Sequence, residues 1–464
     1  MRLALPKGRL LEDTATLLQE AGLELSEYHG GSRSYLPRSA AFPDLALKVF
    51  QEKDIPIQVA IGNYDLGICG LDWIEELMAR YPHSDLAKVR DLGYGRSSLY
   101  AVASRYWGIS SLGELNGCSE TTRIVSEYQN LAESLALSLR LKRFSVLPVW
   151  GAAEVYPPES ADLAVVAESA VPRLEEFELI PLARLLTSRA FLVANKRSLA
   201  QNDMSPLLSR IAGPPAAATE EPPSPPMAQQ VCTAPRWEDG TVRLALPDGH
   251  QQRHAVDFLK RAGISVHGYG EAPQTRRPTI DLEGVAVKVI RPQDMPQQVA
   301  NGNFDLAVTG RDWLTDHLCR FPQSPVQEVL DLGFGTVSIV AVVHRSLPAS
   351  DPDGLRGLVR TGRLPAIRVA SEYLHIADKY ARDNHLERYR VIPTWGASEA
   401  FLPDDADLLI ENTETGETLK RHNLEVIDTL FRSSGCLIGN AGALADPAKR
   451  DRTGYIIEAM ERAA

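Results

Sequence analysis

The feature that most limits what this chain can fold into is that it is written twice. "RLALPKGRL" at 2–10 returns as "RLALPDGHQ" at 243–251, an offset of 241. "LKVFQEKDIPIQVAIGNYDLGICGLDW" at 47–73 returns as "VKVIRPQDMPQQVANGNFDLAVTGRDW" at 287–313, an offset of 240. "DLGYG" at 91–95 becomes "DLGFG" at 331–335. "SEY" at 126–128 and "WGAAE" at 150–154 return at 371–373 and, as "WGASE", at 395–399, offset by 245. That drift fits an insertion near "DPDGLRGLVRTGRLP", residues 351–365. Ordered matches over about 200 residues make a tandem duplication. A length of 464 residues also exceeds what one hydrophobic core serves. The repeats therefore read as modules, 1–212 and 241–464, joined by a linker at 213–240. "GPPAAATEEPPSPPMAQQ" (213–230) is rich in Pro and Ala and lacks periodicity. A semi-extended segment of this kind spans roughly 50–60 Å, room for the halves to pair in almost any orientation.

Within each repeat, short apolar runs alternate with helical patterns. "RLALP" and "LALKVF" read as strands, "LEDTATLLQEAG" as a helix closing on Gly22, and "DIPIQVAIG" as a short helix. "YDLGIC" is a strand and "LDWIEELMARY" a helix, while "SLYAVAS", "TRIVSEY", "FSVLPVW" and "ADLAVVAE" supply a second strand set before "RAFLVANKRS" returns. The alternation predicts α/β modules with largely parallel sheets, each of two lobes around a cleft.

Composition narrows the function classes. A net charge of −11 disfavours a nucleic-acid surface, yet leaves small anions open, because local backbone N–H groups outweigh a distant field. No apolar run reaches the length of a membrane span, and "MRLALPKGRLLED" lacks the apolar core of a signal peptide, so a cytoplasmic location is expected. Cys69, Cys118, Cys232, Cys319 and Cys436 form no metal-ligand or CxxC spacing, which suits reduced, buried thiols.

Two stretches carry candidate chemistry. "ENTETGETL" (411–419) follows the apolar run "ADLLI" and precedes "LKRHNLEVIDTLF", read as a helix. A strand, a Thr/Gly turn and a helix start hold phosphate through backbone N–H groups and hydroxyls, and Gly lets the backbone approach the anion. A plain helix cap satisfies the same pattern. "ALPKGRL" sets Lys7 and Arg9 at the carboxyl end of a buried strand, where α/β folds place ligands, although a solvated basic turn fits equally. A P-loop kinase is excluded, since no GxxxxGK[ST] occurs.

Taken together, "ALPKGRLLED", the "DIPxxVxxGxxDLGICGxDW" block, "DLGYG", "SEY", "WGAxE" and "ADLLIENTETGETLKRHNLEVI" resemble the ATP phosphoribosyltransferase family over nearly all of both repeats. The resemblance implies a tandem pair of two-lobed, periplasmic-binding-protein-like (type II) α/β modules of the short form. No histidine-binding regulatory domain is expected after "CLIGN" (436–440). It implies condensation of ATP, through N1, with phosphoribosyl pyrophosphate (PRPP) to give phosphoribosyl-ATP and pyrophosphate, the first step of histidine biosynthesis, with Mg2+. By the same resemblance Glu411, Thr413, Glu414, Thr415, Gly416, Glu417 and Thr418 would bind PRPP, Glu411 near the ribose. Lys7 and Arg9 would meet ATP or pyrophosphate, and Arg33 and Arg291 would act as catalytic cations. A histidyl-tRNA-synthetase-like regulatory subunit and a homo-oligomer of pseudo-dimers are implied as partners.

The repeats have lost different parts. In the first, Thr415, Gly416 and Thr418 are replaced by Ala170, Val171 and Arg173, with Pro172 between. In the second, Lys7 and Arg9 become Asp248 and His250, while Arg291 stands where the first has Gln51. Asp248 facing a polyphosphate would repel it. A covalent pseudo-dimer, in which the first repeat lends Arg33 to the second, accounts for most of this pattern. The alternative is a non-catalytic nucleotide-binding sensor or regulatory paralogue. It draws on Arg96-Ser97-Ser98 and Thr336-Val337-Ser338, which stand where the family has Cys and Arg.

Overall fold

Leu3, Ala4 and Leu5 are completely buried, a run too short and too uniformly apolar for an amphipathic helix. Arg2–Lys7 accordingly forms a strand flanked on both sides by parallel neighbours, Ala46–Gln51 and Leu66–Gly70. The computed structural model describes residues 1–32, 34–117, 121–168, 171–211, 240–271, 275–396 and 398–464. The Pro/Ala-rich linker, Arg33, Ala170, Cys118 and Cys232 lie outside them.

The chain forms two units. Unit 1 comprises Met1–Pro148, Tyr156–Ala234 and Trp395–Ala400; unit 2 comprises Val149–Val155, Pro235–Thr394 and Phe401–Ala464. Each repeat thus places its WGA(A/S)E stretch in the other repeat's unit.

Unit 1 has two lobes, each built on a five-stranded sheet. The first sheet runs Ala46–Gln51, Arg2–Lys7, Leu66–Gly70, Ala190–Asn195, Leu86–Asp91, and the second runs Leu179–Ser188, Ser97–Ser104, Leu163–Glu168, Thr122–Ser126, Phe144–Pro148. Helix Leu11–Glu20 covers the first sheet, where Leu18 and Leu23 join Leu3, Leu5, Val49 and Ile68 in one core. Helix Gln129–Ser138 covers the second with Ala132 and Leu135. The chain passes from lobe to lobe between Asp91 and Ser97 and returns between Ser188 and Ala190. Unit 2 repeats this order with strand Val242–Pro247 in the place of Arg2–Lys7 and strand Leu408–Thr413 in the place of Leu163–Glu168. Small details are copied too: Asn195 Oδ1 accepts the N–H groups of Arg197 and Ser198, and Asn440 Oδ1 those of Gly442 and Ala443.

Two expectations need correction. The sheets are mixed rather than largely parallel. Ala190–Asn195 runs antiparallel to both neighbours because it re-enters the first lobe directly from the second, and Ser97–Ser104 is antiparallel to both of its own. Secondly, "LKRHNLEVIDTLF" is not one helix. The helix stops at Arg421, Asn423 takes a left-handed φ of 55°, and Leu424–Ser433 is a strand. Its counterpart Leu179–Ser188 was hidden by Pro181, which an edge strand tolerates because its N–H need not pair. The segment near 351–365, where the drift in offset placed an insertion, contains the helix Pro352–Arg360. Asp351 Oδ1 caps it by accepting the Gly354 N–H at 2.7 Å, and Leu355 and Leu358 anchor it.

Candidate functional site

Strand Leu408–Thr413 ends in the turn that the sequence singled out. Gly416, at φ 71°, precedes the short helix Glu417–Arg421, and a Cβ built on it would meet nothing within 4 Å. The turn is open where an anion would approach. Thr413 Oγ1 accepts the Gly416 N–H at 3.1 Å, and Thr415 Oγ1 accepts that of Glu417 at 3.5 Å. Glu414, Thr415, Glu417 and Thr418 are exposed, while Glu411, Thr413 and Gly416 are half-buried. At the matching place in unit 1, Val171 lies inside helix Val171–Glu176, so the left-handed corner is absent there.

Beneath the turn runs a set of polar contacts that no short motif announced. Asn412 Nδ2 donates to Tyr373 Oη at 2.9 Å, and Tyr373 donates to Asp312 Oδ2 at 2.5 Å. Ser433 Oγ donates to Asp312 Oδ1 at 3.0 Å, at the point where the chain returns to the first lobe. Asp312 is buried, which raises its pKa against the hydrogen bonds from Tyr373 and Ser433. Burial, then Asp312 and Glu411, push the Tyr373 phenol well up. The repeated "DW" and "SEY" were the available signals, since they carry Asp312 and Tyr373.

Unit 1 keeps the same aspartate and tyrosine but adds a cation. Arg9 Nη2 donates to Asp72 Oδ1 and Oδ2 at 3.0 and 2.9 Å, Nε to Glu52 Oε2 at 3.1 Å, and Nη1 to Ser97 Oγ at 2.6 Å. Tyr128 Oη and Ser188 Oγ donate to Asp72, each at 2.9 Å. Arg9 is thus committed to two buried carboxylates. Burial raises Glu52 to about 7, Arg9 opposing and Asp72 assisting. Ser97, one of the departures from the family pattern, supplies a hydroxyl to this arginine.

Lys7 Nζ lies 5.0 Å from the centre of the Tyr35 ring and 3.4 Å from its hydroxyl. Its counterpart Asp248 is buried, and it is not an isolated negative charge. Arg276 Nη1 and Arg291 Nη1 reach Asp248 Oδ2 at 2.6 and 3.2 Å. The expected repulsion is therefore offset by two arginines. Arg276 was missed, although it stands at the position of Tyr35 and so forms an exchanged pair, Lys7–Tyr35 against Asp248–Arg276. Arg291 is brought to Asp248, while Arg33 falls outside the described residues.

Among the described residues no three or more Asp, Glu, His or Cys side chains converge as a metal site. No helix among them is long and apolar enough to cross a membrane.

The family model for ATP phosphoribosyltransferase (HisG) matches residues 51–213 and 291–462. The ATP phosphoribosyltransferase of Geotalea uraniireducens is 31% identical over 228 residues, covering 48% of this chain and 72% of that protein. The ATP phosphoribosyltransferase of Chlorobium chlorochromatii is 31% identical over 220 residues, covering 46% and 69%. Among solved structures, an ATP phosphoribosyl transferase (HisG:HisZ) complex from Thermotoga maritima aligns at 20% identity and TM-score 0.39, over 48% of this chain and 98% of that one. With the family matched once in each repeat, the chain belongs to the ATP phosphoribosyltransferase family, pentosyl-transferring enzymes of histidine biosynthesis.

Proposed function

We propose that the chain condenses ATP with PRPP as a fused pseudo-dimer of modules 1–212 and 241–464, and that PRPP binds only in unit 2. The observation that carries this reading is the Thr413–Thr418 turn, open at Gly416. The 5-phosphate of PRPP would displace the long Thr415–Glu417 contact and take backbone N–H groups and threonine hydroxyls in its place. Glu411, half-buried at the strand end, would face ribose hydroxyls.

The reaction asks little of protein acids and bases. Adenine N1 supplies the electron pair for the new bond to C1′, and the C1′–oxygen bond breaks as pyrophosphate departs. Catalysis then rests on aligning N1 behind C1′ and on cations near the leaving group. Arg276 and Arg291 flank that end of unit 2, with Asp248 removing one charge from the pair. Lys7 and Arg33 of the first repeat remain proposed cations for the substrates' phosphates. Magnesium would arrive with the substrate's phosphates, since it keeps waters and binds polyphosphate more readily than all-protein cages. A HisZ-like regulatory subunit, of the kind found with the Thermotoga maritima protein, is the proposed partner in the cytoplasm.

Titration calorimetry tests the asymmetry: one PRPP site per chain is expected, and two equal sites would refute it. Thr415→Val removes one hydroxyl donor worth about 1.5–3 kcal/mol and is expected to weaken PRPP by about ten- to a hundredfold, and adding Gly416→Val distorts the turn that presents the backbone N–H groups and is expected to weaken it further. The single variant is the cleaner of the two, because valine is strained at a φ of 71°. Unchanged affinity would mean that the turn is only a helix cap. Pyrophosphate release from ATP and PRPP then separates an enzyme from a sensor that merely binds.

A further inference from the structure

Trp150 belongs to the first repeat by sequence and to unit 2 by fold. Its segment is fastened at both ends. The Trp150 N–H donates to the two carboxylate oxygens of buried Asp294 at 3.0 and 3.1 Å. At the other end, the Val155 carbonyl accepts from Lys288 Nζ at 3.0 Å and Arg277 Nη2 at 3.3 Å. Lys288 is itself buried, so that carbonyl meets a cation that water barely reaches.

Between these anchors the Trp150 indole meets Trp313 edge-on, with centroids 5.6 Å apart. Trp313 lies on Tyr373 at 4.5 Å, and Tyr373 Oη bonds Asp312 and Asn412. Asn412 immediately precedes Thr413, the residue that holds the phosphate turn through the Gly416 N–H. An unbroken series of contacts, Trp150–Trp313–Tyr373–Asn412, therefore ends at the turn.

We propose that Trp150 is a positioning residue for PRPP binding: a side chain of the first repeat that fixes the ring stack setting the phosphate turn of the second. This rests on the reading that the turn holds PRPP. Removing the indole leaves space into which Trp313 relaxes, and Tyr373 moves with it. Displacements near one ångström at a positioned group are enough to cost binding or rate heavily.

The molecule contains its own control. Trp395, the counterpart of Trp150, is built into unit 1. There Lys53 Nζ lies 5.2 Å from the Trp395 ring and 5.8 Å from Trp73, which stacks on Tyr128 at 4.3 Å. That stack leads to Asp72, but the position of Asn412 is Ala167, and Val171, at the position of Gly416, begins the helix Val171–Glu176. Trp395 thus meets the corresponding ring pair through Lys53, and Val171 stands where unit 2 has Gly416.

The experiment compares Trp150→Ala, Trp150→Phe and Trp395→Ala in the full chain. It reads PRPP affinity by calorimetry, KM for PRPP and for ATP, and melting temperature. Trp150→Ala is expected to raise the PRPP Kd and KM about tenfold with the ATP KM within about twofold, and Trp150→Phe to recover most of the loss. Trp395→Ala is expected to lower the melting temperature comparably and to leave PRPP binding within about twofold. If the alanine variant does not fold, Trp150→Leu, which keeps apolar volume without the ring edge, replaces it. Equal weakening by the two tryptophan variants, or none from Trp150→Ala, overturns the proposal. If Thr415→Val abolishes PRPP binding while Trp150→Ala does not, only the role of Trp150 falls. If Thr415→Val also leaves binding intact, the turn is not the site and both readings fall.

Discussion

Asp72 and Asp312 occupy the same place in the two units, and their surroundings have diverged in opposite directions. Asp72 is bonded by Arg9, Tyr128 and Ser188. Asp312 keeps the tyrosine and the serine, but the arginine position is the exposed His250. Unit 2 instead extends the network outwards, from Tyr373 through Asn412 to an open turn, where unit 1 has Ala167 and a helix. One unit thus carries the arginine at this aspartate, and the other carries the asparagine that links it to the turn. A shared fold with complementary losses is what division of labour within one chain would leave behind.

The comparison breaks most visibly at Arg9. Replacing it by alanine leaves Glu52 and Asp72 buried without their cation; a fully buried pair losing one partner costs about 3–5 kcal/mol, and the 36% exposure of Arg9 lowers the expected cost to about 2–3 kcal/mol. His250→Ala, at the same position of unit 2, touches only an exposed side chain and is expected to stay within about 0.5 kcal/mol. Denaturant unfolding of the two variants checks the difference. A stable Arg9→Ala with lost polyphosphate binding would instead make Arg9 a ligand residue and the ion pairs incidental.

Arg9 also shows where sequence reasoning stops. The duplication, the two lobes and the 411–418 turn were legible because each rests on local pattern: repeated motifs, apolar alternation, a Thr/Gly corner after a strand. The fate of Arg9 was not, because Glu52 and Asp72 lie 43 and 63 residues away and only the fold brings them together. Arg276 was hidden likewise, 28 residues from Asp248. Strand Leu424–Ser433 was misread because its apolar positions fit a helix as readily as a bulged strand, and only the left-handed Asn423 decides. The exchange of the WGA(A/S)E segments leaves no trace in either repeat's own pattern.

Protonation sharpens the contrast at middle magnitude. Burial lifts Glu52 to about 7, so this carboxyl favours the folded state while protonated, and its contribution is lost as pH rises from about 4.5 to about 7. In unit 2 the position of Glu52 is Pro292, but His317, where unit 1 has Leu77, is lowered to about 4 by burial, then by Arg320 and His375. Its contribution runs the other way, present above about 6.5 and lost as pH falls towards about 4. The two slopes oppose each other across one window, each on the order of 2 kcal/mol. Glu52→Gln is expected to uncover a stability that rises with pH, and His317→Gln one that falls. Unfolding free energies measured between pH 4.5 and 7 for the wild type and both variants test the signs; matching slopes would remove the opposition.

The smallest expected effect tests the exchanged charge pair. Asp248 Oδ2 is held by Arg276 and Arg291, while its buried Oδ1 has no hydrogen-bond partner among the described residues. With Asp248 ionised the three side chains sum to one positive charge, and Asp248→Asn brings the sum to two while preserving shape. Were this strand end to face polyphosphate, as the position of Lys7 suggests, the extra charge would act across roughly 7 Å of water-like medium. Coulomb's law then gives about 0.6 kcal/mol, or about threefold tighter pyrophosphate binding. Because Arg291 is well exposed, the gain is expected to shrink as ionic strength rises. Lys7→Gln at the matching strand end of unit 1 removes a charge, and any polyphosphate held at that end is expected to bind about threefold more weakly. Titrating pyrophosphate against both variants at low and high salt separates the outcomes. A gain from Asp248→Asn that persists in high salt would point to a direct hydrogen bond donated by the new amide N–H rather than to the field of the arginine pair. No change in either variant would place the polyphosphate away from both strand ends.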